Sequence, residues 1–306
     1  MGEATNPGYA RRGRMLQPGQ VSELTVIGID GGGGQVIHTA DEIIEAPNWT
    51  LDGKTLIYNA GGELWRIPAD GSARPEKIDT GALRDLNNDH CLSPDGRTIY
   101  VSSDDGHLYD LPIGGGTPKR ITNEQPGKPM PAVFKHYLHG VSPDGAMLAY
   151  IAVDKSGPKQ VANVFTIPAA GGAERQLTDT ALPCDGSEYS PDGGWIWFNS
   201  EMNSPGQAQI YRMRTDGSDV TQVTHDERVN WFPHFTPDGA TIVYLSYPAG
   251  TVGHPADKRV VLRTMKPNGT GIRDVIGFNG GQGTINVNSC APDNRRFAYV
   301  AYPVRD

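Results

Sequence analysis

The chain repeats one turn motif six times: TLDG (residues 50–53), SPDG (93–96), SPDG (142–145), SPDG (190–193), TPDG (236–239) and a degraded APDN (291–294). The aspartates of successive copies are 43, 49, 48, 46 and 55 residues apart. Proline at the second position has the fixed φ that a type I turn requires, and glycine at the fourth position tolerates a positive φ. Each copy is therefore predicted to join two antiparallel strands.

The residues around each turn have the composition of paired strands. Each turn is followed by a run of β-branched and aromatic residues, such as TLIYNA (55–60) after the first turn and WIWFNS (195–200) after the fourth. In the first five units a second hairpin follows, and its turn contains DG, GG or NG. A unit of four antiparallel strands repeated six times predicts an all-β fold, a six-bladed β-propeller.

The last unit lacks its third and fourth strands, because the sequence stops soon after the run RFAYVA (296–301). The missing pattern of strand, glycine turn and strand occurs near the other end, in LTVIGIDGGGGQVIHTA (24–40). We expect this N-terminal hairpin to complete the last blade and close the ring, since closure protects strand edges. The predicted organisation is a flexible N-terminal segment over residues 1–20 and a single propeller over residues 21–306.

Composition argues against several classes of partner. The formal net charge of -8 disfavours a general nucleic-acid binder, and no run approaches the roughly 20 apolar residues of a membrane span. The N-terminus lacks the apolar core of a secretory signal, so we expect a cytoplasmic protein, or a periplasmic one if a leader has been removed. The odd and widely spaced Cys91, Cys184 and Cys290 predict buried thiols without a disulfide framework.

The SPDG turn followed by a hydrophobic strand at this spacing resembles the TolB-type propeller repeat (PD40, WD40-like), over residues 21–306. The resemblance implies the six-bladed fold. Prolyl-oligopeptidase-like enzymes place such a propeller beneath an α/β-hydrolase domain, but the sequence contains no GxSxG nucleophile elbow. The periplasmic TolB of the Tol–Pal system carries a signal and an additional α/β domain, neither of which the sequence shows. A fainter resemblance connects the chain to the oligogalacturonate lyases, which are also propellers.

Polar residues precede the six turns, where the innermost strand of each blade should line the central channel. Three histidines precede the serine or threonine of their turns by two or three residues, and a fourth falls in the loop TVGHPADK (251–258). Imidazole nitrogens together with carboxylates are typical ligands of divalent metals. The predicted metal ligands, for Mn, Ca or Zn, are His90, His139, His234 and His254.

The same segments supply candidates for acid–base chemistry and for ligand contacts. The predicted catalytic residues are His139, Glu188 and His234, and the predicted ligand-binding residues are Asp89, Asp185, Asn230, Trp231 and Gln282. The indole of Trp231 is expected to stack on a sugar ring. The resemblance to oligogalacturonate lyases implies a metal that acidifies a proton beside a sugar carboxylate, with Lys135 or Lys155 as base or anchor.

Two functions remain open from the sequence. One is a binder of a small polar molecule or carbohydrate, with a divalent metal and lyase or hydrolase activity; the other is a non-catalytic scaffold that docks a protein or peptide. Polar channel residues also hold ordered water or bond to a neighbouring blade. In addition, His90 and His139 are one position out of phase with Glu188 and His234, so regular strands would not point all four side chains into the channel.

Overall fold

The computed structural model describes residues 14–305, and its regular structure consists of β-strands. The strands form six sheets, and the innermost strands of neighbouring sheets contact one another around a ring. The predicted six-bladed β-propeller is therefore confirmed. No helix within residues 14–305 is long and apolar enough to cross a membrane.

The first three blades each contain four antiparallel strands, numbered from the channel outward. Blade one comprises β3 (Ile44–Trp49), β4 (Thr55–Ala60), β5 (Glu63–Pro68) and β6 (Glu76–Lys77). Blade two comprises β7 (Leu86–Leu92), β8 (Thr98–Ser103), β9 (Leu108–Pro112) and β10 (Lys119–Arg120). Blade three comprises β11 (Phe134–Val141), β12 (Met147–Asp154), β13 (Val161–Pro168) and β14 (Arg175–Gln176).

Blades four and five repeat this order, and blade six joins the two ends of the chain. Blade four comprises β15 (Cys184–Tyr189), β16 (Trp195–Ser200), β17 (Gln209–Arg214) and β18 (Thr221–Gln222). Blade five comprises β19 (Val229–Phe235), β20 (Ile242–Tyr247), β21 (Lys258–Met265) and β22 (Arg273–Gly280). Blade six comprises β23 (Arg296–Ala301), β1 (Ser22–Gly28) and β2 (Gln35–Ala40).

The sixth blade closes the ring in the way the sequence predicts. Strand β1 pairs with β23 in continuous antiparallel register, from Glu23 opposite Ala301 to Gly28 opposite Arg296. Strand β2 then forms the outer edge. The innermost position of this blade is held by a single bridge, between Cys290 and Phe297, where the other blades have a full strand. The N-terminal hairpin thus completes the last sheet.

The repeated turns are held together by their aspartates. The Asp144 carboxylate accepts hydrogen bonds from the Ser142 hydroxyl, at 2.5 Å, and from the Ala146 backbone N–H, at 3.0 Å. These hydrogen bonds lower the pKa of Asp144. The first five turns share this arrangement, which explains the recurrence of aspartate as a requirement of the turn.

The hydrophobic core lies between the blades. Six clusters of buried side chains each combine residues of two neighbouring sheets, so every seam of the ring has its own core. Cys91, Cys184 and Cys290 are buried within these clusters as free thiols, which confirms the prediction. Burial between blades supplies the main stabilising term of the fold, since no other layer formed by residues 14–305 covers the sheets.

Bulges interrupt the innermost strands of the first five blades. Ala46, Gly186 and Phe232 have φ of 53°, 64° and 56°, and each lies six residues before the aspartate of its turn. A bulge adds a residue to one strand and breaks the alternation of side chains. Because of these bulges, the one-residue phase difference that separates His90 and His139 from Glu188 and His234 does not determine which side chains face the channel.

The segment predicted to be flexible is only partly described. Residues 1–13 lie outside the described residues. The remainder lies against the propeller: the Arg14 guanidinium is 4.2 Å from the centre of the Tyr302 ring and donates a hydrogen bond to Glu45 at 3.1 Å. The Gln20 amide donates to Asp257 at 2.6 Å and to the Tyr302 carbonyl at 3.0 Å.

Candidate functional site

A cavity of about 740 Å³ opens at one end of the central channel. Its wall is formed by the ends of inner strands and by loops that join the second and third strands of the blades, on the face away from the repeated turns. We call it the channel mouth. The predicted residues that line it are Asp89, His139, Asp185, Trp231, His254, Gln282, Lys135 and Lys155.

The closest charged contact in the channel mouth joins blades three and four. His139 lies at the bulge of β11, and its Nε2 is 2.9 Å from Oδ1 of Asp185. Its Nδ1 lies 3.2 Å from the backbone carbonyl of Asn286. Both nitrogens therefore face acceptors, which an imidazolium satisfies and a neutral imidazole does not.

The electrostatics of this pair agree with its geometry. Burial opposes the positive charge of His139, but Asp89 and Asp185 outweigh it and raise the pKa of His139 to about 9. Burial also opposes the charge of Asp185, yet the hydrogen bond and the charge of His139 lower the pKa of that carboxyl overall. The two side chains thus form an ion pair at neutral pH.

His254 approaches the same carboxylate from a loop of blade five. Its Nε2 is 3.5 Å from Oδ2 of Asp185, and its Nδ1 is 2.5 Å from the side-chain oxygen of Gln282. The ring centre lies 4.4 Å from that of Trp231. Asp185 is consequently held between two imidazoles contributed by different blades.

His234 and Glu188 form a separate contact inside the ring. His234 Nδ1 lies 2.6 Å from Oε2 of Glu188, and its Nε2 lies 2.6 Å from the Ile285 carbonyl. Glu188 Oε1 accepts hydrogen bonds from the amide of Asn288 and from the Phe235 backbone N–H. None of these side chains lines the channel mouth. The contact connects blades four, five and six, so its geometry is that of a structural network.

Two further predicted residues also lie away from the cavity. His90 is completely buried, and burial lowers its pKa to about 4, so the imidazole is neutral at pH 7. The Asn230 side chain is buried and is hydrogen-bonded to Gln209, Asp226 and Ser246. Both residues contribute to the interior of their blades.

The four histidines predicted as metal ligands are therefore not gathered at one point. Within the described part of the chain, no group of three or more His, Cys, Asp or Glu side chains is arranged to hold a metal ion. In its charged form His139 has no lone pair to offer a metal. As they stand, these residues do not form a metal centre, and the predicted divalent ion stays a prediction.

The structure adds residues that the sequence does not single out. Phe232 has a positive φ, unusual for a bulky side chain, and its ring stacks on His139 at a centroid distance of 6.0 Å. Val252 is 79% exposed at the rim, next to His254. The Trp231 indole N–H and the Asn88 side-chain amide are buried near the wall without a hydrogen-bond acceptor among residues 14–305. Of these residues, only Phe232 has a signal in the sequence. It lies six residues before the aspartate of its turn, as Ala46 and Gly186 do.

Comparison of sequences relates this chain to a known family and to several known proteins. The PD40 family, described as the TolB β-propeller domain, matches residues 139–266. The uncharacterized protein Atu1656 of Agrobacterium fabrum is 40% identical over 273 residues, which are 88% of each chain. The Tol–Pal system protein TolB of Francisella tularensis is 24% identical over 253 residues, covering 80% of this chain and 53% of that protein. The chain thus spans about half the length of that TolB.

Solved structures of other proteins share this fold. A structure from Agrobacterium tumefaciens, assigned provisionally as a TolB, superimposes with a TM-score of 0.84 at 37% identity, covering 95% of this chain and 99% of that one. An oligogalacturonate lyase in complex with manganese superimposes with a TM-score of 0.55 at 15% identity, over 77% of this chain and 66% of that one. At that identity the lyase shares the fold alone.

Proposed function

This chain belongs to the TolB-like β-propeller family, and on that premise we propose that its channel mouth binds an extended segment of a partner protein. The observation that carries the proposal is the cavity itself, whose charged floor is fixed by internal hydrogen bonds and whose rim exposes aliphatic side chains. A relative in this family is named as the Tol–Pal system protein TolB. Protein docking is the coarse function that the family supports.

The state of the histidines favours binding over catalysis. A general base needs a lone pair that faces the substrate, and both nitrogens of His139 face protein acceptors. His234, the other predicted catalytic histidine, is likewise saturated by Glu188 and a backbone carbonyl. Groups fixed in this way give a preorganised surface, which lowers the entropic cost of binding.

The walls of the channel mouth suit a peptide. Aliphatic side chains alternate with charged ones, and Lys155 is exposed at the rim with no carboxylate within salt-bridge distance among residues 14–305. The partly exposed imidazole of His254 and the exposed ammonium of Lys155 face the mouth and are open to a peptide's carbonyls and carboxylates. An extended segment supplies carbonyls, apolar side chains and charges together.

A small polar ligand is the second candidate. It is favoured by the cavity volume, about 740 Å³, which falls in the range of small-molecule sites. The partly exposed imidazole of His254 beside Asp185 offers polar contacts for such a ligand. A carbohydrate, a divalent metal and lyase or hydrolase chemistry all belong to this candidate.

Selection from a random-peptide phage library, followed by calorimetry on the enriched peptides, tests the first candidate. We expect binding that Asp185→Asn and Lys155→Ala each weaken about tenfold, because both changes remove a charge from the mouth. Arg66→Ala is the control, since Arg66 is exposed and pairs with Glu76 on the outer strands. Peptides that bind wild type, Asp185→Asn and Lys155→Ala equally well would contradict the proposal.

Metal analysis tests the metal-dependent form of the second candidate. Elemental mass spectrometry on protein purified without chelator would find about one bound ion per chain if that form holds, and manganese, zinc or calcium would raise the melting temperature. His254→Ala should then abolish that rise. The peptide proposal instead expects no change in melting temperature with any of the three ions.

A further inference from the structure

A second cavity, of about 670 Å³, lies at the seam between blades six and one. We call it the seam cavity. Strand β2 contributes Ile37 and His38, the loop after β2 contributes Glu42, and strands β4 and β5 contribute Tyr58 and Trp65. The turn at residues 71–75, which includes Arg74, covers its outer side. The seam cavity shares no lining residue with the channel mouth.

Several polar side chains of the seam cavity have no hydrogen-bond partner among the described residues, although the rings of His38 and Tyr58 lie 6.3 Å apart. The side chains of His38, Glu42, Tyr58 and Arg74 make no hydrogen bond or salt bridge with any residue of the described range 14–305. The side chain of Trp65 lines the same cavity, and its indole N–H is buried without an acceptor among residues 14–305. Polar groups that line a cavity and have no partner in the protein are available to a ligand.

Blade three has an equivalent tyrosine whose hydroxyl finds a hydrogen-bond partner within the protein. Tyr58 and Tyr150 each lie six residues after their turn aspartate, and each faces an aromatic residue across the sheet, Trp65 or Phe165. In blade three the Tyr150 hydroxyl donates to Glu174 at 2.8 Å. In blade one no side chain of residues 14–305 accepts a hydrogen bond from the Tyr58 hydroxyl, and Tyr58 lines the seam cavity.

The charges of the seam cavity indicate a neutral ligand. Glu42 and Arg74 carry opposite charges, and the neighbouring Glu63 is paired with Lys77 at 2.6 Å. Burial lowers the pKa of His38, which leaves its imidazole neutral at pH 7. The cavity therefore offers donors and acceptors without an excess of either charge. A charged ligand of either sign would also meet a side chain of like charge there, so a ligand without net charge fits best.

We propose that the seam cavity binds a neutral carbohydrate, with a sugar ring on the face of Trp65 and sugar hydroxyls bonded to Glu42, Arg74 and Tyr58. Sugar C–H groups carry a small positive charge and are attracted to the negative face of an aromatic ring. Hydroxyls donate to a carboxylate and accept from a guanidinium, and such charge-assisted hydrogen bonds are the strong ones. This inference is independent of the peptide proposed for the channel mouth.

An array of neutral and N-acetylated oligosaccharides probes the seam cavity, with calorimetry on each glycan that binds. We expect Glu42→Gln and Arg74→Ala each to weaken binding about tenfold, because each change removes one hydrogen-bonding charge. Both side chains are exposed, so neither change endangers the fold. Trp65→Phe keeps an aromatic face but removes the N–H, and we expect a smaller loss.

Lys155→Ala, at the channel mouth, is the matched control and should leave glycan binding unchanged. No binding by any glycan on the array would overturn the proposal. Binding that Lys155→Ala abolishes, while the Glu42 and Arg74 variants retain it, would also overturn it, because the sugar would then occupy the channel mouth. The first result would not bear on the peptide proposed for the mouth, whereas the second would favour the small-ligand candidate there.

Discussion

His139 of blade three donates a hydrogen bond from Nε2 to Oδ1 of Asp185 in blade four, over 2.9 Å. The bond joins two neighbouring blades at the channel mouth, where both side chains line the cavity. Because of this bond, His139 is a fixed cation, although the sequence predicts it as a metal ligand or a catalytic residue. The electrostatic character of the mouth depends on this contact.

The pair makes stability depend on pH. The pKa of His139 is raised from 6.5 to about 9, so its contribution is fully present below pH 6.5 and is lost as pH rises through about 9. We expect wild type to lose on the order of 3 kcal/mol more than His139→Gln between pH 6 and pH 10. Urea unfolding at the two pH values measures this difference. Parallel losses in both proteins would show that the pair contributes nothing.

The interior contact between His234 and Glu188 predicts a large stability effect. His234→Ala leaves the Glu188 carboxylate buried with fewer partners, and breaking a buried pair in this way costs about 3–5 kcal/mol. Chemical denaturation measures the loss. Because His234 does not line the channel mouth, ligand affinity of the folded variant should stay within about twofold of wild type. A stable variant that has lost all binding would place His234 in the site.

Closure of the ring depends on β1. Leu24 is completely buried in β1, so Leu24→Ala should lower the free energy of unfolding by about 2–5 kcal/mol. Val36 lies in β2 of the same hairpin but is 45% exposed, and Val36→Ala should change it by less than about 0.5 kcal/mol. Denaturation curves compare the two. Similar small effects would indicate that the hairpin is not part of the cooperative unit.

The three thiols should be inert in the folded protein. Cys91, Cys184 and Cys290 are buried, and burial raises the pKa of each thiol. The thiolate is the reactive form, so a thiol reagent at pH 8 should label none of them until the chain unfolds. Mass spectrometry before and after adding urea counts the labels. Rapid labelling of the native protein would contradict the packing of the seams.

The fold follows closely from the sequence because its signals are local. The turn motif fixes the blades, and the pattern of residues 24–40 identifies the hairpin that completes blade six. One detail differs: the inner position of blade six is a single bridge at Cys290. Turn chemistry and strand composition act over a few residues, so a single sequence is enough to predict the elements they form.

The sequence predicts the candidate site only in part. Asp89, His139, Asp185, Trp231, His254 and Gln282 line the channel mouth, whereas His90, Glu188, Asn230 and His234 point into the interior. A bulge causes part of the difference, since the positive φ at Phe232 separates Trp231, which lines the mouth, from His234, which does not. Phenylalanine does not favour that conformation, so composition gives no warning of it. The pairing of His139 with Asp185 across two blades is also non-local.

Photo-cross-linking tests the central claim, that the channel mouth binds a protein segment, most directly. A selected peptide carrying a benzophenone group is irradiated with the protein, and the attachment sites are mapped by mass spectrometry. We expect attachment near Lys135, Lys155 and Val252, which surround the mouth. Attachment confined to the repeated turns, such as residues 93–96 and 142–145 on the opposite face, would contradict the account.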